Sequence, residues 1–238
     1  MNPIYRSLMM FIKQLTTDGM LVMMLVAPIL AGLFFRFLVP LFELWLTDFY
    51  QVESIIKDYY LLIDLFLIAL TPYMFCFAAS MTMLDEHDQN ITQHLIVTPI
   101  MKKGYLMSRL ILTTSFATIY SVLIIMLFLL TKWLVIDALF YAIISSLIAM
   151  TFSLALFSYS NNKVEGLALA KLSGLFLLGL PVPFFISNNN QYIVSFLPSF
   201  WMAKIKLDFS WFYILCLGLS ILMWYLILFK KFYQKLSN

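Results

Sequence analysis

Charge is scarce in this chain. Twelve acids and 15 bases make up 11% of its 238 residues, beside 63% hydrophobic residues. A soluble domain carries about a quarter of its residues as Asp, Glu, Lys and Arg, so a water-facing globule is excluded and a bilayer becomes the natural solvent. The only two cysteines, Cys76 and Cys216, each lie inside an apolar run, which excludes a disulfide framework and a cysteine metal site. No Gly-rich phosphate loop is present: Gly166-Leu-Ala-Leu-Ala-Lys171 comes nearest, but lacks the second glycine and the hydroxyl after the lysine. The strand alternation of an outer-membrane barrel is missing, as are internal repeats and low-complexity tracts. The first apolar run is too long for a signal-peptide core and no small-residue cleavage site follows it, so no cleavable leader and no appended soluble domain are expected.

What is present is hydrocarbon in six long runs: residues 20–42, 59–84, 104–130, 133–159, 167–186 and 209–229. Each reaches the length of about 20 residues needed to cross a bilayer, and a crossing segment can satisfy its backbone only as a helix. The chain is therefore expected to be a single all-α membrane domain over 1–238. An amphipathic helix (1–18) precedes the spans, with Ile4, Leu8, Phe11, Ile12 and Leu15 at helical spacing. Basic residues set the orientation. Arg6, Lys13, Lys102, Lys103, Arg109, Lys163, Lys230, Lys231 and Lys235 fall on one side, against Lys57, Lys132, Lys204 and Lys206 on the other. The excess predicts a multi-pass protein of the cell (cytoplasmic) membrane with both termini inside, and with Glu43, Asp48, Glu53 and Asp58 in the first external loop. The net charge of +3 thus answers to a membrane surface, not to nucleic acid. The last external segment (187–208) is semi-apolar around Pro198, which suits short helices dipping into the outer leaflet.

The longest polar interruption, Met83 to Arg109, organises the rest. Asp85, Glu86 and Asp88 open it, and Lys102, Lys103 and Arg109 close it. Asn90 is placed to cap a short helix with Gln93 as its reciprocal partner; Ile91, Leu95 and Thr98 share one face, and Pro99 forces the exit. The acids are expected to meet Arg6, Lys13 or Arg109. His87 and His94 are the only histidines, and their spacing of seven is not that of ligands on adjacent turns, so no metal site is read here.

Glu86, then Thr92, Leu95-Ile96 and Thr98-Pro99 before a basic pair, resemble the signature of ABC-2 type transporter permeases. In that family a glutamate ends the second membrane helix and a short coupling helix closes on Thr-Pro; Ile91 stands where the family usually has glycine. Six spans after an amphipathic lead-in, and Phe196-Leu197-Pro198 before the sixth, extend the likeness along the chain. The resemblance implies the permease half of an ATP-driven exporter. Two copies of a separate ATP-binding subunit would carry the ATP and Mg, docking on a coupling region (85–103) with Glu86, Asp88, Thr92, His94, Leu95, Thr98 and Pro99. The permease would pair as a homodimer or heterodimer, with a re-entrant element over 187–208. It also implies that the second and fifth spans line the path, through Thr71, Tyr73, Phe77, Ser173 and Phe176, for an amphipathic or hydrophobic cargo such as a peptide, antibiotic or lipid.

The residues add two expectations of their own. Thr71-Pro72-Tyr73 weakens the second span by removing a backbone donor, and Gly166, Gly174, Gly179, Pro181 and Pro183 make the fifth span breakable. Arg36 and Asp64 are charged residues inside spans, where burial is costly, and are expected to pair near the external gate. Fifteen methionines and 23 phenylalanines read as lipid-facing filler. An intramembrane enzyme would need a catalytic constellation within the bundle, and an ion-coupled carrier would need paired broken helices and more buried acids. The sequence supplies neither, so this chain is expected to be neither an enzyme nor a cofactor binder.

Overall fold

The computed structural model describes residues 9, 13, 16–97 and 101–235. Most of the proposed interfacial helix at 1–18, and Thr98 and Pro99 at the end of the coupling region, lie outside the described residues. Among those described there is no β-strand, and six helices are long and apolar enough to cross a membrane. In chain order they are α1 (Leu21–Tyr50), α2 (Lys57–Asp88), α4 (Met101–Phe128), α5 (Val135–Tyr159), α6 (Lys163–Phe185) and α8 (Trp211–Lys235). Two short helices complete the set: α3 (Ile91–Val97), between α2 and α4, and α7 (Pro198–Leu207), before α8.

The core is the trio α2, α4 and α5, with α1 laid on α2 and α4, and α8 on α5. Of their most apolar stretches, 61% of α2 and 67% of α5 are buried, against 17% of α1 and α8 and 18% of α6. In lipid, apolar surface alone does not drive helices together, and close packing and interhelical hydroxyls do that work instead. Such hydroxyls recur here. Ser80 and Ser153 hold their oxygens 2.6 Å apart across α2 and α5, and Thr118 donates to Ser146 at 2.8 Å across α4 and α5.

Pro72 tests this rule at mid-helix. It has no N–H for the carbonyl of Ile68, four residues back, and the expected outcome is a weak point. Instead α2 runs unbroken through it. The released Ile68 carbonyl accepts from Ser121 of α4 at 2.8 Å and from Ser145 of α5 at 3.2 Å. Two neighbouring helices thus repair what the proline removes.

α1 is longer than its hydropathy suggests. It passes through Pro40 to Tyr50 by way of a π-helical turn over Phe34–Leu38, in which the Val39 N–H reaches the Phe34 carbonyl. That wider turn shifts the hydrogen-bond register just before the proline. Glu43 and Asp48 therefore sit on the helix and not in a loop. Glu43 turns back to accept from the Ile55 and Ile56 amides at 3.0 and 2.7 Å.

α6 breaks as its glycines and prolines indicate. Its 23 residues become an α-helix to Ala170, a 3-10 stretch over Lys171–Leu177 and a final short turn of helix at Val182–Phe185. Its start is well defined: the Asn162 side chain accepts from the Glu165 amide at 2.8 Å, and the Glu165 carboxylate reaches back to the Asn161 amide at 2.7 Å. At the break, Ser199 of α7 donates to the Phe176 carbonyl at 2.6 Å. A Cβ on Gly179 would meet Ser199 Oγ at 2.4 Å and the Phe200 backbone nitrogen at 2.5 Å, so only glycine permits this approach. The segment 187–208 is thus two short helices, a 3-10 turn at Asn189–Val194 and α7, with α7 buried in the bundle on nearly all sides until its last turn.

Replacing Ser121 and Ser145 together by alanine leaves the Ile68 carbonyl unpaired in the core. The double variant is expected to lose roughly 1–3 kcal/mol, against well under half of that for either single variant. Unfolding in mixed micelles measures the difference.

Candidate functional site

The acids at the end of α2 do not form one charged surface, because Glu86 turns into the bundle while Asp85 and Asp88 both meet Lys163. Glu86, only 1% exposed, turns into the bundle and meets Arg109 of α4, itself 1% exposed. Arg109 donates from its Nε to both carboxylate oxygens, at 3.2 and 3.1 Å, and from a terminal nitrogen at 2.5 Å. Tyr105, one helical turn before Arg109 and fully buried, donates to the same carboxylate at 2.9 Å. Its hydroxyl lies 3.5 Å from Thr92 Oγ1 on α3. The other terminal nitrogen of Arg109 donates to Ser108 Oγ at 3.5 Å, and the guanidinium carbon lies over the Tyr105 ring, 5.6 Å from its centroid. A carboxylate, a guanidinium, a phenol and a hydroxyl thus tie α2, α3 and α4 together where no water reaches them.

Local structure makes this possible. Arg109 occupies the middle of a π-helical turn, Met107–Ile111, whose wider bore re-aims the side chain toward α2. On the α2 side the chain reverses at Asn90, which is left-handed (φ 58°). Its N–H bonds the His87 carbonyl at 3.1 Å, and its own carbonyl accepts from His94 at 3.4 Å. Asn90 therefore closes α2 as a left-handed terminator instead of opening α3 by side-chain capping. Asparagine tolerates that conformation, so the reversal needs no glycine at Ile91.

Asp88 and Asp85 serve α6. Asp88 accepts from the Lys163 amide at the start of α6 at 2.8 Å, while the Lys163 ammonium lies 3.1 Å from Asp18 and 3.9 Å from Asp85. The Lys235 ammonium, at the end of α8, bonds the carbonyls of Phe157 and Ser160 at the end of α5. Placing a cation on the last carbonyls of a helix is favourable electrostatically. His87 packs edge-on against Phe157, and His94 and Gln93 are exposed on α3. Thr92 is buried and Leu95 half-buried against the core. The face α3 offers outward is therefore Gln93 and His94, with Thr92 and Leu95 turned inward.

At the opposite end, Arg36 and Asp64 do not pair. Asp64, 1% exposed, accepts from the Leu130 and Thr131 amides, each at 2.9 Å, from the Thr131 hydroxyl at 2.5 Å and from Trp133 Nε1 at 3.2 Å. Arg36, in the π turn of α1, donates to the Leu129 carbonyl at 2.7 Å. The two charges grip opposite poles of one turn, so they are neighbours in function without touching.

The expected path residues also divide. Thr71, Tyr73 and Phe77 are buried inside the chain, with Thr71 bonded to the Leu67 carbonyl and Tyr73 stacked on Phe152 at 4.4 Å. α2 is thus the core of the fold in this conformation. Phe176 of α6 lies between Phe152 and Trp224. Ser173 falls in the 3-10 stretch, and its side chain is outside the described residues. Two apolar grooves flank the broken helix. One, of about 410 Å³, lies against Phe35, Phe66 and Pro181; the other, of about 200 Å³, lies against Phe152, Tyr159 and Phe176. Tyr105 is the residue that sequence reasoning missed. Its spacing of four before Arg109, on the face that turns toward Glu86, was the available signal.

Glu86→Gln leaves Arg109 charged and buried without its counter-ion, and is expected to cost about 3–5 kcal/mol. Adding Arg109→Met removes the orphaned charge, and should recover most of that loss of stability without restoring the tie to α3. A double-mutant cycle by thermal melting in detergent measures the coupling.

Comparison with known proteins places this geometry. No solved structure matches the chain. Two curated relatives from Mycobacterium tuberculosis, MT2760 of strain CDC 1551 / Oshkosh and Rv2686c of strain ATCC 25618 / H37Rv, both carry the name fluoroquinolones export permease protein. Each is 29% identical over 189 residues, covering 79% of this chain and 75% of the relative. A family model described as fluoroquinolones export permease protein Rv2686c-like matches residues 11–229. With six membrane-crossing helices and a match over nearly its whole length, the chain belongs to the Rv2686c-like family of export permeases.

Proposed function

We propose that this permease is the membrane subunit of an ATP-driven exporter and that α3 is where a separate ATP-binding subunit transmits force. The observation that carries the reading is the buried Glu86–Tyr105–Arg109 cluster, joined to Thr92 of α3. A short helix exposed on one face and anchored on the other to the ends of two core helices has the form of a lever. The outer face, Gln93 and His94, is the docking surface, and the inner face, Thr92 and Leu95, is the coupling surface. Glu86 and Asp88 fix the lever's root to α4 and α6. The ATP and Mg belong to the partner subunit, and the chain performs no chemistry of its own. Both termini and α3 face the cytoplasm, in keeping with the basic residues gathered there.

The cargo is a small amphiphile with aromatic character, a class that includes the compounds named for the two relatives. The apolar grooves beside α6, walled by Phe35, Phe66, Phe152 and Phe176, suit such a molecule better than a sugar or an ion. A proton-coupled carrier is the weaker reading, because Asp64 and Glu86 are already engaged by multiple donors. Closure of two ATP-binding subunits then needs only to favour one of two packings of the bundle.

The test is co-reconstitution in vesicles with the cognate ATP-binding subunit. Nucleotide-dependent efflux of a fluorescent amphiphile is expected with both chains present and none with the permease alone; unaided transport by the permease overturns the reading. His94→Glu together with Gln93→Glu is expected to lower co-purification of the ATP-binding subunit at least fivefold. Thr92→Ala should keep that association while reducing cargo-stimulated ATP hydrolysis several-fold.

A further inference from the structure

At the end opposite α3, one lysine is enclosed in a setting that a surface lysine does not need. Lys206, in the last turn of α7, places its Nζ 3.7 Å from the centroid of the Trp133 ring and 5.2 Å from that of Tyr141. The two rings meet nearly at right angles (84°), 5.4 Å apart, and form a corner. Asp137 closes a third side with a carboxylate oxygen at 3.7 Å from the ammonium. Two aromatic faces and a carboxylate are the chemistry that recognises organic ammonium groups. The lysine side chain is only 16% exposed there. Lys204, two residues earlier, behaves differently and turns to Gln191 and Asp208.

The corner is built into the fold. Trp133 is fixed by its Nε1, which donates to Thr131 Oγ1 at 2.9 Å and to Asp64 at 3.2 Å, so its ring belongs to the same clamp that holds the turn after α4. Tyr141 is buried on α5, with Phe140 edge-on to it. By contrast, Lys206 reaches in on a flexible four-carbon stem from a separate short helix. Exchanging its ammonium for another would replace like with like inside a rigid receptor.

We propose that Trp133, Tyr141 and Asp137 form an organic-cation site, with Lys206 as its tethered occupant, and that the site receives the ammonium group of cationic amphiphiles on their way out. The proposal rests on the export reading above and sharpens it by assigning a charge to part of the cargo. When a cargo ammonium enters, Lys206 swings aside on its stem; when the cargo leaves, the lysine returns and fills the site again.

The experiment is equilibrium binding of radiolabelled benzyltrimethylammonium to the purified full chain in nanodiscs, without nucleotide or partner. Lys206→Ala is expected to bind saturably and at least tenfold tighter than the unaltered protein. Adding Asp137→Asn or Tyr141→Leu to that variant should each weaken binding tenfold or more, and neopentylbenzene, the uncharged isostere, should not compete. If Lys206→Ala does not yield a monodisperse protein, Lys206→Gln keeps the stem and carries the same expectations. Binding no tighter than in the unaltered protein, or binding indifferent to Asp137 and Tyr141, overturns the proposal. Either failure leaves ATP-coupled export untouched, because the assay contains no ATP. Loss of nucleotide-driven efflux with cation binding intact would instead remove the export reading, and with it the cargo role, while leaving the cation site itself.

Discussion

A carboxylate and a guanidinium buried at the end of the central helix set the terms for the rest of this molecule. In a chain with so few charges, burying two of them is tolerable only if each finds its full complement of partners, since an unpaired ion in that setting costs several kcal/mol. Glu86 is met by Arg109 and Tyr105, and the three are supplied by α2 and α4. α2 and α4 are consequently locked in register at that end, and α3, tied on through Thr92, inherits their position. The geometry is mirrored at the far end with backbone groups taking the place of the opposite charge. There Asp64 takes two amides, a hydroxyl and an indole N–H from residues 130–133, and Arg36 takes the carbonyl of Leu129. Both arginines occupy π-helical turns, so each span that must aim a guanidinium sideways widens locally to do so.

Between these two fixed ends the core relies on hydroxyls. Ser80, Ser121, Ser145, Ser146, Ser153 and Thr118 all bond across helices or to another helix's carbonyl. A soluble protein would draw its cohesion from excluding water. Here close approach and polar contacts replace that force, and the exposed leucines and phenylalanines of α1 and α8 are left for the lipid or for other chains.

Much of this was legible in the sequence, where the signal is local. Six apolar runs gave six spans, and the glycines and prolines of the fifth gave its break. The acids at 85–88 and bases at 102–109 marked the ends of one stretch, and Glu86 and Arg109 do meet. What was not legible depends on partners distant in sequence. Pro72 reads as a weak point until Ser121 and Ser145, 49 and 73 residues later, are seen to take up the Ile68 carbonyl. Arg36 and Asp64 read as a pair because charge suggests charge, whereas their real partners are backbone atoms of residues 129–131 and, for Asp64, the uncharged Thr131 hydroxyl and Trp133 indole N–H, which no matching of charges reveals. Asn90 reads as a side-chain cap for α3, whereas it acts through a left-handed backbone, which asparagine also permits. In hydropathy the first span reads as ending at 42, because a π turn before Pro40 carries no signature there.

These constraints decide where the molecule is able to move. In the proposed lever, a push on α3 would meet a cluster that cannot come apart cheaply, so α3, the end of α2 and the start of α4 would respond as one body. Relative motion has to be taken up where backbone hydrogen bonding is already sparse and burial low. α6 is that place: it abandons the α-helix at Lys171 and passes through a 3-10 stretch, where Ser199 of α7 bonds the Phe176 carbonyl, Phe176 packs between Phe152 and Trp224, and Gly179 lies close against α7. Its start is nevertheless fixed to the end of α2 through Asp88 and Lys163. Displacement of α2 is therefore delivered to the near half of α6 and absorbed at its break, beside the two apolar grooves. α7 lies across that break and carries Lys206, so the same displacement that reshapes the grooves also bears on the cation corner at the far end.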